Sequence, residues 1–224
     1  MKQDINKNQT NKYTLTSFPI CPFVQRAIIT LKHKNIDFDI KYIDLKNKPE
    51  WFLKLSPLGK VPILEVENTV IFESAVINEF LDEDTPNTLL SKNLIEKAHQ
   101  RAWIEFGSTL IMDTHKLILS KDEESFNENK EIVFNKLNKI ENEIKGEYFS
   151  GNKFSLVDTT YAPLLRMISL FEKITNDKEY KKLSKVKTWT NTLLELPEVK
   201  ESVKETFKED FYKYVKNQTN YILE

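Results

Sequence analysis

The junction at residues 17–26 restricts the fold of this chain most, because a predicted strand meets a predicted helix there around the only cysteine. Residues 13–16 alternate apolar and polar side chains, which is typical of a short strand. After the cysteine, apolar residues recur at the spacing i, i+3, i+4 and i+7, which predicts a helix with a buried face. These residues are Val24, Ala27, Ile28 and Leu31. Pro22 suits the first helical position, where a missing N–H has no partner to lose.

Cys21 is therefore expected at the N-cap of this helix or beside it, near unpaired N–H groups and the positive end of the helix dipole. Such a position favours the thiolate and predicts a lowered thiol pKa. A lone cysteine is more often an inert, buried side chain, but strand, cysteine, proline and helix together favour a reactive thiol. Val24 occupies the place of the second cysteine of a thioredoxin-type site. A reactive Cys21 therefore needs an external thiol, and glutathione is the candidate in a reducing cytosol.

Composition excludes several classes of protein. The 224 residues suit one or two domains with a substantial core. Because 33 Lys and Arg nearly balance 34 Asp and Glu, no basic field indicates a nucleic-acid partner. One cysteine and three histidines argue against a disulfide framework and against a metal site. Residues 1–12 are polar and predict a disordered leader, not a signal peptide. No apolar run is long enough for a constitutive membrane span, so we expect a cytoplasmic protein.

The first 84 residues predict a small α/β domain. The elements after the first helix are a strand at 38–42, a helix at 49–55, strands at 61–66 and 70–72 joined by a turn at 68–69, and a helix beginning at Glu73 and Ser74. On that last helix the predicted buried residues are Val76, Ile77, Phe80 and Leu81. The order β-α-β-α-β-β-α is the thioredoxin-like arrangement, and Cys21 lies where that arrangement places its active site.

Beyond the turn-rich residues 84–88, the patterns predict only helices. They cover 94–119, 128–144, a segment starting at residue 155, 185–196 and 197–207. In the first of these the predicted buried stripe is Ile95, Ala98, Ala102, Phe106 and Leu110. Ser155 and Asp158 have the spacing of a capping box. We therefore expect a leader at 1–12, a thioredoxin-like domain at 13–84, a linker at 85–91 and an all-helical domain at 92–224.

Four motifs in order resemble those of the cysteine-type cytosolic glutathione transferases, and the omega class most closely. They are Cys-Pro-Phe-Val-Gln-Arg at 21–26, Asp-Leu-Lys-Asn-Lys-Pro-Glu-Trp-Phe at 44–52, Gly-Lys-Val-Pro at 59–62 and Phe-Glu-Ser-Ala at 72–75. The Ser155 and Asp158 box resembles the folding-associated cap of that family's second domain. The likeness runs from about Tyr13 to the end of the chain, and it is dense in the first domain and mainly architectural in the second.

The resemblance implies a catalytic Cys21 and a glutathione site without a metal. The implied glutathione-binding residues are Phe23, Lys48, Val61, Pro62, Glu73 and Ser74. Glu73 would meet the ammonium group, while Ser74 and its helix start would hold the γ-glutamyl carboxylate. The backbone of Val61, before a cis Pro62, would pair with the cysteinyl unit. If these residues bind no ligand, Glu73 and Ser74 are only the start of a helix. Val61 and Pro62 are then the edge of a strand, and Lys48 is a solvated side chain.

The resemblance further implies a glutathione-dependent thiol transferase or reductase. Its implied substrates are small disulfides, glutathionylated proteins or dehydroascorbate, and its implied assembly is a homodimer. The alternative is a non-catalytic regulatory or conditionally membrane-inserting protein on the same scaffold, like the intracellular chloride channel proteins or the stringent-starvation transcription partners. The former lack the Glu-Ser pair found here at Glu73 and Ser74, and the latter lack the cysteine. Both differences favour the enzyme.

Overall fold

A mixed four-stranded sheet with three helices is followed by eight further helices in this computed structural model, which describes residues 12–219 and 221–223. The strands are β1 (Tyr13–Ser17), β2 (Phe38–Tyr42), β3 (Ile63–Val66) and β4 (Thr69–Phe72), and the helices among them are α1 (Pro22–His33), α2 (Glu50–Leu55) and α3 (Ser74–Glu83). The predicted element order of the first domain is confirmed. The leader predicted at 1–12 lies outside the described residues except for Lys12, which forms an ion pair with Asp84.

The strands lie in the order β2-β1-β3-β4, with β1 parallel to β2 and the other two pairs antiparallel. The pairing places Leu15 beside Ile40 on one side and beside Leu64 on the other. Leu15 and Leu64 are fully buried, whereas β2 lies at the sheet edge and exposes Tyr42. The parallel β1–β2 pair is the outcome expected of a strand–helix–strand unit.

Helix α1 is buried on both sides, because every residue from 24 to 31 lies in the interior. One side packs with the sheet and α3, and the other packs against the helical domain. The four residues predicted to form its apolar face are all buried. The start of α1 is therefore held in place by both parts of the molecule.

The second domain is all-helical, as predicted. Its helices are α4 (Leu94–Ile118), α5 (Glu123–Glu143), α6 (Leu156–Ser169), α7 (Glu172–Thr175), α8 (Lys178–Lys182), α9 (Ser184–Glu195), α10 (Pro197–Lys200) and α11 (Phe207–Lys216), followed by a short 3₁₀ turn at Tyr221–Leu223. Helix α6 lies at the centre, with thirteen consecutive buried residues from Leu156 to Ile168. It packs against α4, α9 and, across the domain boundary, α1.

The structure corrects the predicted face of α4. The residues predicted as buried include Ile95, which is 82% exposed, and Ala98 and Ala102, which are also exposed. The buried face instead comprises Gln100, Ile104, Gly107, Leu110, Ile111, Thr114, Leu117 and Ile118. Gly107 matters to this packing, since a Cβ there would lie 2.6 Å from the Thr160 side chain of α6. The first turns of α4 extend beyond the helices that cover its remaining length.

Three smaller expectations also differ from the structure. Val76 of α3 is 54% exposed, because its neighbours Ile77 and Leu81 already fill the contact with the sheet. The turn between β3 and β4 is formed by residues 67–68, one position earlier than predicted. The helix expected at 197–207 ends at Lys200, and α11 begins only at Phe207. Helices α7 and α8 have four and five residues, too few for a periodic pattern to reveal.

Candidate active site

Three candidate segments meet at one end of the sheet. Strand β1 runs toward Ser17, β4 ends at Phe72, and Ile63 at the start of β3 pairs with both Thr16 and Phe72. The segments directly beyond these ends are the loop to Cys21, the Val61–Pro62 pair and the start of α3. Since neighbouring strands bring such ends together, the sheet pairing places the three segments side by side.

Cys21 is the N-cap residue of α1, as predicted, and Pro22 begins the helix. The cysteine is half-buried and packs with Val61 against the core of the first domain. Its backbone N–H donates to the carbonyl of Phe18 at 3.0 Å, which fixes the turn between β1 and α1.

The predicted lowering of the Cys21 pKa is wrong for this structure. Burial raises the pKa of the Cys21 thiol, because a thiolate is poorly solvated in the interior. The backbone N–H groups of Val24 and Phe23 and the charge of Arg26 act in the opposite direction without outweighing burial. The helix start therefore reduces the pKa increase that burial causes, but it does not by itself lower the pKa of the Cys21 thiol below its usual value.

The start of α3 presents Glu73 and Ser74 differently. Glu73 is exposed and has φ of 68°, a backbone conformation that non-glycine residues seldom adopt. Such conformations concentrate at functional sites. Ser74 is buried, and its Oγ lies 3.4 Å from Nη1 of Arg26 on α1. The first turn of α3 is thereby joined to the helix that begins at Cys21.

The Val61–Pro62 peptide bond is cis, as the resemblance implied. The loop before it is fixed by Ser56, whose Oγ accepts from N–H of Lys60 at 3.0 Å and donates to the Lys60 carbonyl at 2.9 Å. Lys48 is half-buried beside the same loop, and a Cβ built at Gly59 would lie 3.6 Å from its Nζ. Lys48 thus lies beside the loop that leads to Val61, and no contact joins it to Cys21.

Phe23, in the first turn of α1, is half-buried and packs against the core of the helical domain. The guanidinium of Arg26 lies over its ring at 5.1 Å from the centroid. Phe23 therefore lies at the boundary between the domains, two residues from Cys21.

Comparison with known proteins identifies the family. The sequence profile described as "Glutathione S-transferase, N-terminal domain" matches residues 20–84, and that described as "Glutathione S-transferase, C-terminal domain" matches residues 97–197. Glutathione S-transferase omega-1 of Rattus norvegicus is 33% identical over 186 residues, which is 81% of this chain and 76% of that protein. The chain belongs to the glutathione S-transferase family.

Other glutathione S-transferases support the same assignment. The omega-1 protein of Sus scrofa is 35% identical over 70% of this chain and 67% of its own length. The chloroplastic DHAR3 protein of Arabidopsis thaliana is 35% identical over 65% of this chain, and the match spans 54% of that relative. Glutathione transferase Omega 3C from Trametes versicolor has a similar structure, with a TM-score of 0.77 at 25% identity, covering 88% of this chain and 91% of that one. The chain is thus an omega- and DHAR-like glutathione transferase.

Two residues near this candidate site have no role that the sequence patterns predict. Arg26 was part of a recognised motif, yet no pattern indicated that its guanidinium would be buried among Ser74, Phe23 and the helical domain. Ser108 on α4 accepts a hydrogen bond from Arg26 at 3.0 Å. A charged residue inside an otherwise apolar helix segment was the available signal for Arg26, and no signal marked Ser108.

The structure also bears on metal binding and on membrane crossing. The described part of the chain holds no group of three or more His, Cys, Asp or Glu side chains arranged to bind a metal ion. Of the helices formed by the described residues, none combines the length and apolar character that a membrane crossing requires. A cleft of about 650 Å³ at the opposite end of α1 is lined by residues that include His33 and Glu198, and it does not include Cys21.

Proposed function

We propose that the chain is a glutathione-dependent thiol transferase or reductase that acts through Cys21. The observation that supports this most is the position of the only cysteine, at the start of α1 beside the Val61–Pro62 peptide and the first turn of α3. A lone thiol there can form a mixed disulfide with glutathione but cannot close a disulfide within the chain. An external thiol must then complete the cycle.

In the proposed reaction, the Cys21 thiolate attacks the glutathionyl sulfur of a mixed disulfide. The sulfur–sulfur bond of the substrate breaks, the substrate leaves as a thiolate that takes up a proton, and Cys21 becomes bonded to glutathione. A second glutathione thiolate attacks the glutathionyl sulfur and releases oxidised glutathione and the Cys21 thiolate. The proposed substrates are small disulfides, glutathionylated proteins and dehydroascorbate, whose two-electron reduction also consumes two glutathiones.

The glutathione-binding roles are proposals that the arrangement supports. The exposed carboxylate of Glu73 suits the ammonium group, and the Ser74 hydroxyl with the N–H groups of α3 suits the γ-glutamyl carboxylate. The backbone of Val61 can pair with the cysteinyl unit as an added strand does. We assign the glycyl carboxylate to Lys48 and a wall of the site to Phe23. No metal is required for any of these steps.

The raised pKa of Cys21 affects the rate of this chemistry in two ways. A small fraction of the thiol is ionised at neutral pH, which slows attack. The thiolate that forms is intrinsically more nucleophilic, because nucleophilicity rises with thiol pKa. We therefore expect the reaction to accelerate as pH increases through the alkaline range.

Assembly and location are proposed with the same function. Exposed apolar side chains of α3 and α4, namely Val76, Leu94 and Ile95, form a surface suited to a second copy of the chain. We propose a cytoplasmic homodimer that has no nucleic-acid partner and no constitutive membrane association. We also propose domains at residues 13–84 and 92–224, joined by a linker at 85–91.

Activity with three substrates tests the proposal. With glutathione, the protein should reduce hydroxyethyl disulfide or dehydroascorbate and conjugate chlorodinitrobenzene only weakly. Cys21→Ser should abolish the reductase activity. Glu73→Gln should raise the glutathione concentration needed for half-maximal rate, since it removes binding charge. Glu79→Gln is the matched control, because Glu79 is on the same helix but pairs with Arg101 at the surface.

The opposite outcomes have distinct meanings. Preference for chlorodinitrobenzene, or full reductase activity in Cys21→Ser, would refute the proposed mechanism. Glutathione binding without turnover of any substrate would favour the non-catalytic alternative on this scaffold.

A further inference from the structure

Arg26 is a buried cation at the boundary of the two domains. Its side chain is on α1, one turn beyond Cys21, and the residue is only 1% exposed. Nη1 donates to Oγ of Ser108 on α4 at 3.0 Å and lies 3.4 Å from Oγ of Ser74 on α3. Both partners are neutral hydroxyl groups, so neither compensates the positive charge.

The other two nitrogens of the Arg26 guanidinium have even fewer partners than Nη1. Among the described residues, Nε and Nη2 of Arg26 are buried and have no hydrogen-bond partner. The guanidinium carbon lies over the Phe23 ring, which supplies only a weak attraction for a cation. Buried cations are normally paired with an anion, because leaving one unpaired in the interior is costly. Burial lowers the pKa of Arg26 to about 10, so the group is still charged at neutral pH.

The titratable groups that face Arg26 come from three helices. Tyr161 on α6 is fully buried and uses its hydroxyl to donate to the Trp103 carbonyl at 2.9 Å, and burial raises its pKa. Glu105 on α4 is exposed to solvent, which screens its charge. Cys21, the third group, is the N-cap of the same helix as Arg26, two residues before the Phe23 ring over which the guanidinium lies. Its thiol is half-buried and can become an anion.

We propose that Arg26 is a positioning residue that stabilises the thiolate of Cys21, an inference that rests on the proposed function. When the thiol releases its proton to solvent, the guanidinium gains the anion that the surrounding side chains do not provide. Through Ser74 and Ser108, the same guanidinium links the start of α3 and the helical domain to the reactive helix. The guanidinium therefore lies where α1, α3 and α4 meet.

Arg166 provides a matched comparison. It is a second buried arginine, on α6, and it also contacts α1, donating through Nη1 to Oε1 of Gln25. Its other acceptors are Oγ of Ser202 at 3.2 Å and the carbonyl of Val199, which are neutral too. Burial lowers the pKa of Arg166, as it does for Arg26, but Arg166 lies on α6 and not on the helix that begins at Cys21. The two arginines thus differ mainly in their relation to the cysteine.

The test is the pH dependence of iodoacetamide alkylation, which reads a single thiol because the chain has one cysteine. Arg26→Met should shift the midpoint to higher pH and slow alkylation at neutral pH by about three- to tenfold, since a tenfold change in thiolate corresponds to one pH unit. Arg26→Lys keeps the charge and should restore most of the rate. Arg166→Met should leave the midpoint unchanged, although it removes a buried guanidinium of the same kind.

Circular dichroism shows whether each variant is folded. If Arg26→Met does not fold, the alkylation midpoint of Ser108→Ala tests the proposal instead. This variant removes the 3.0 Å acceptor of Nη1 and keeps a good helix former on α4. With fewer neutral acceptors, Arg26 depends more on the thiolate, so the midpoint should move to lower pH. A folded Arg26→Met protein with the wild-type midpoint would overturn the proposal. So would an unchanged midpoint in Ser108→Ala if Arg26→Met does not fold. Neither readout uses glutathione, so failure here is distinguishable from failure of the proposed function.

Discussion

Two opposing effects determine the state of Cys21. Its position at the N-cap of α1 brings backbone N–H groups toward the sulfur, and these groups, with the charge of Arg26 on the same helix, favour the thiolate. Packing against Val61 and the domain core removes water, which favours the neutral thiol. The second effect is larger in this structure. The sequence predicted the first effect from local spacing, but burial depends on residues far along the chain and could not be read from residues 17–26.

Alkylation of the wild-type protein should therefore follow an alkaline titration. Because burial raises the pKa of the Cys21 thiol, the midpoint of the iodoacetamide rate against pH should lie above the free-cysteine value of about 8.5. In urea the midpoint should return to about that value. A folded-state midpoint below the unfolded one would show that the helix start and Arg26 outweigh burial.

The same shift has a consequence for stability. A thiol with a raised folded-state pKa favours the folded protein while both states are protonated. That contribution is present below the pKa of the unfolded thiol and is lost as pH rises through the folded-state pKa. Cys21→Ala should therefore reduce the loss of melting temperature in alkaline solution. The comparison requires melting curves of both proteins from neutral pH upward, and parallel curves would contradict it.

Helix α6 depends on its capping box at Ser155 and Asp158. The Asp158 carboxylate is fully buried and accepts hydrogen bonds from N–H and Oγ of Ser155, from N–H of Phe149 and from Nε1 of Trp189, at 2.6 to 2.9 Å. Burial raises the Asp158 pKa, and these hydrogen bonds act against the increase. The sequence identified the box, while the links to Phe149 and Trp189 required the fold. Asp158 therefore joins three segments and does more than start one helix.

Asp158→Ala should destabilise the protein strongly. Leaving buried donors without an acceptor costs about 1–3 kcal/mol each. At the lower end of that range, four unpaired donors cost about 4 kcal/mol. With about 2–4 °C per kcal/mol for a chain of this size, a melting temperature lower by at least roughly 8–16 °C is expected. Asp122→Ala is the control, because Asp122 caps α5 through one hydrogen bond to Ser125 N–H at an exposed site. Its loss should cost about 1 kcal/mol. Equal effects in the two variants would contradict the role assigned to Asp158.

Helix α4 illustrates what periodicity leaves open. Ile95, Ala98, Ala102 and Phe106 satisfy the helical spacing, but so does the stripe through Gln100, Ile104, Gly107 and Ile111, which is the buried one. The face that is buried contains a glutamine and a glycine, and a search for hydrophobic periodicity does not count either residue as apolar. The close approach of α6 selects this face, since Gly107 has no Cβ to oppose Thr160. The order of elements and the fold class followed from local patterns, whereas the contacts between helices did not.

On the scale of the whole molecule, α1 belongs to both domains. Its interior residues pack with the sheet and with α6, and Arg166 of α6 bonds to Gln25 of α1 and to Val199 of α10. At the far end of α1, Nδ1 of His33 lies 2.6 Å from a carboxylate oxygen of Glu198. A structure with this much shared interior should unfold as one unit.

Cooperative unfolding can be tested with one probe in each domain. Near-ultraviolet circular dichroism reports on the buried Trp189 of the helical domain, and thiol reactivity reports on Cys21 of the sheet domain. The two should give the same midpoint in urea. Arg166→Met leaves acceptors at Gln25 and Val199 unpaired and should lower both midpoints together. Separate transitions would show that the domains unfold independently.

The central claim is that Cys21 forms a mixed disulfide with glutathione bound at this site. It is tested most directly by intact-mass measurement after incubation with oxidised glutathione. The folded protein should gain one glutathione, lost on reduction with dithiothreitol, and Cys21→Ser should gain none. An excess of S-methylglutathione should slow the gain in folded protein but not in urea. No adduct, or an adduct whose rate the competitor does not change, would contradict the account.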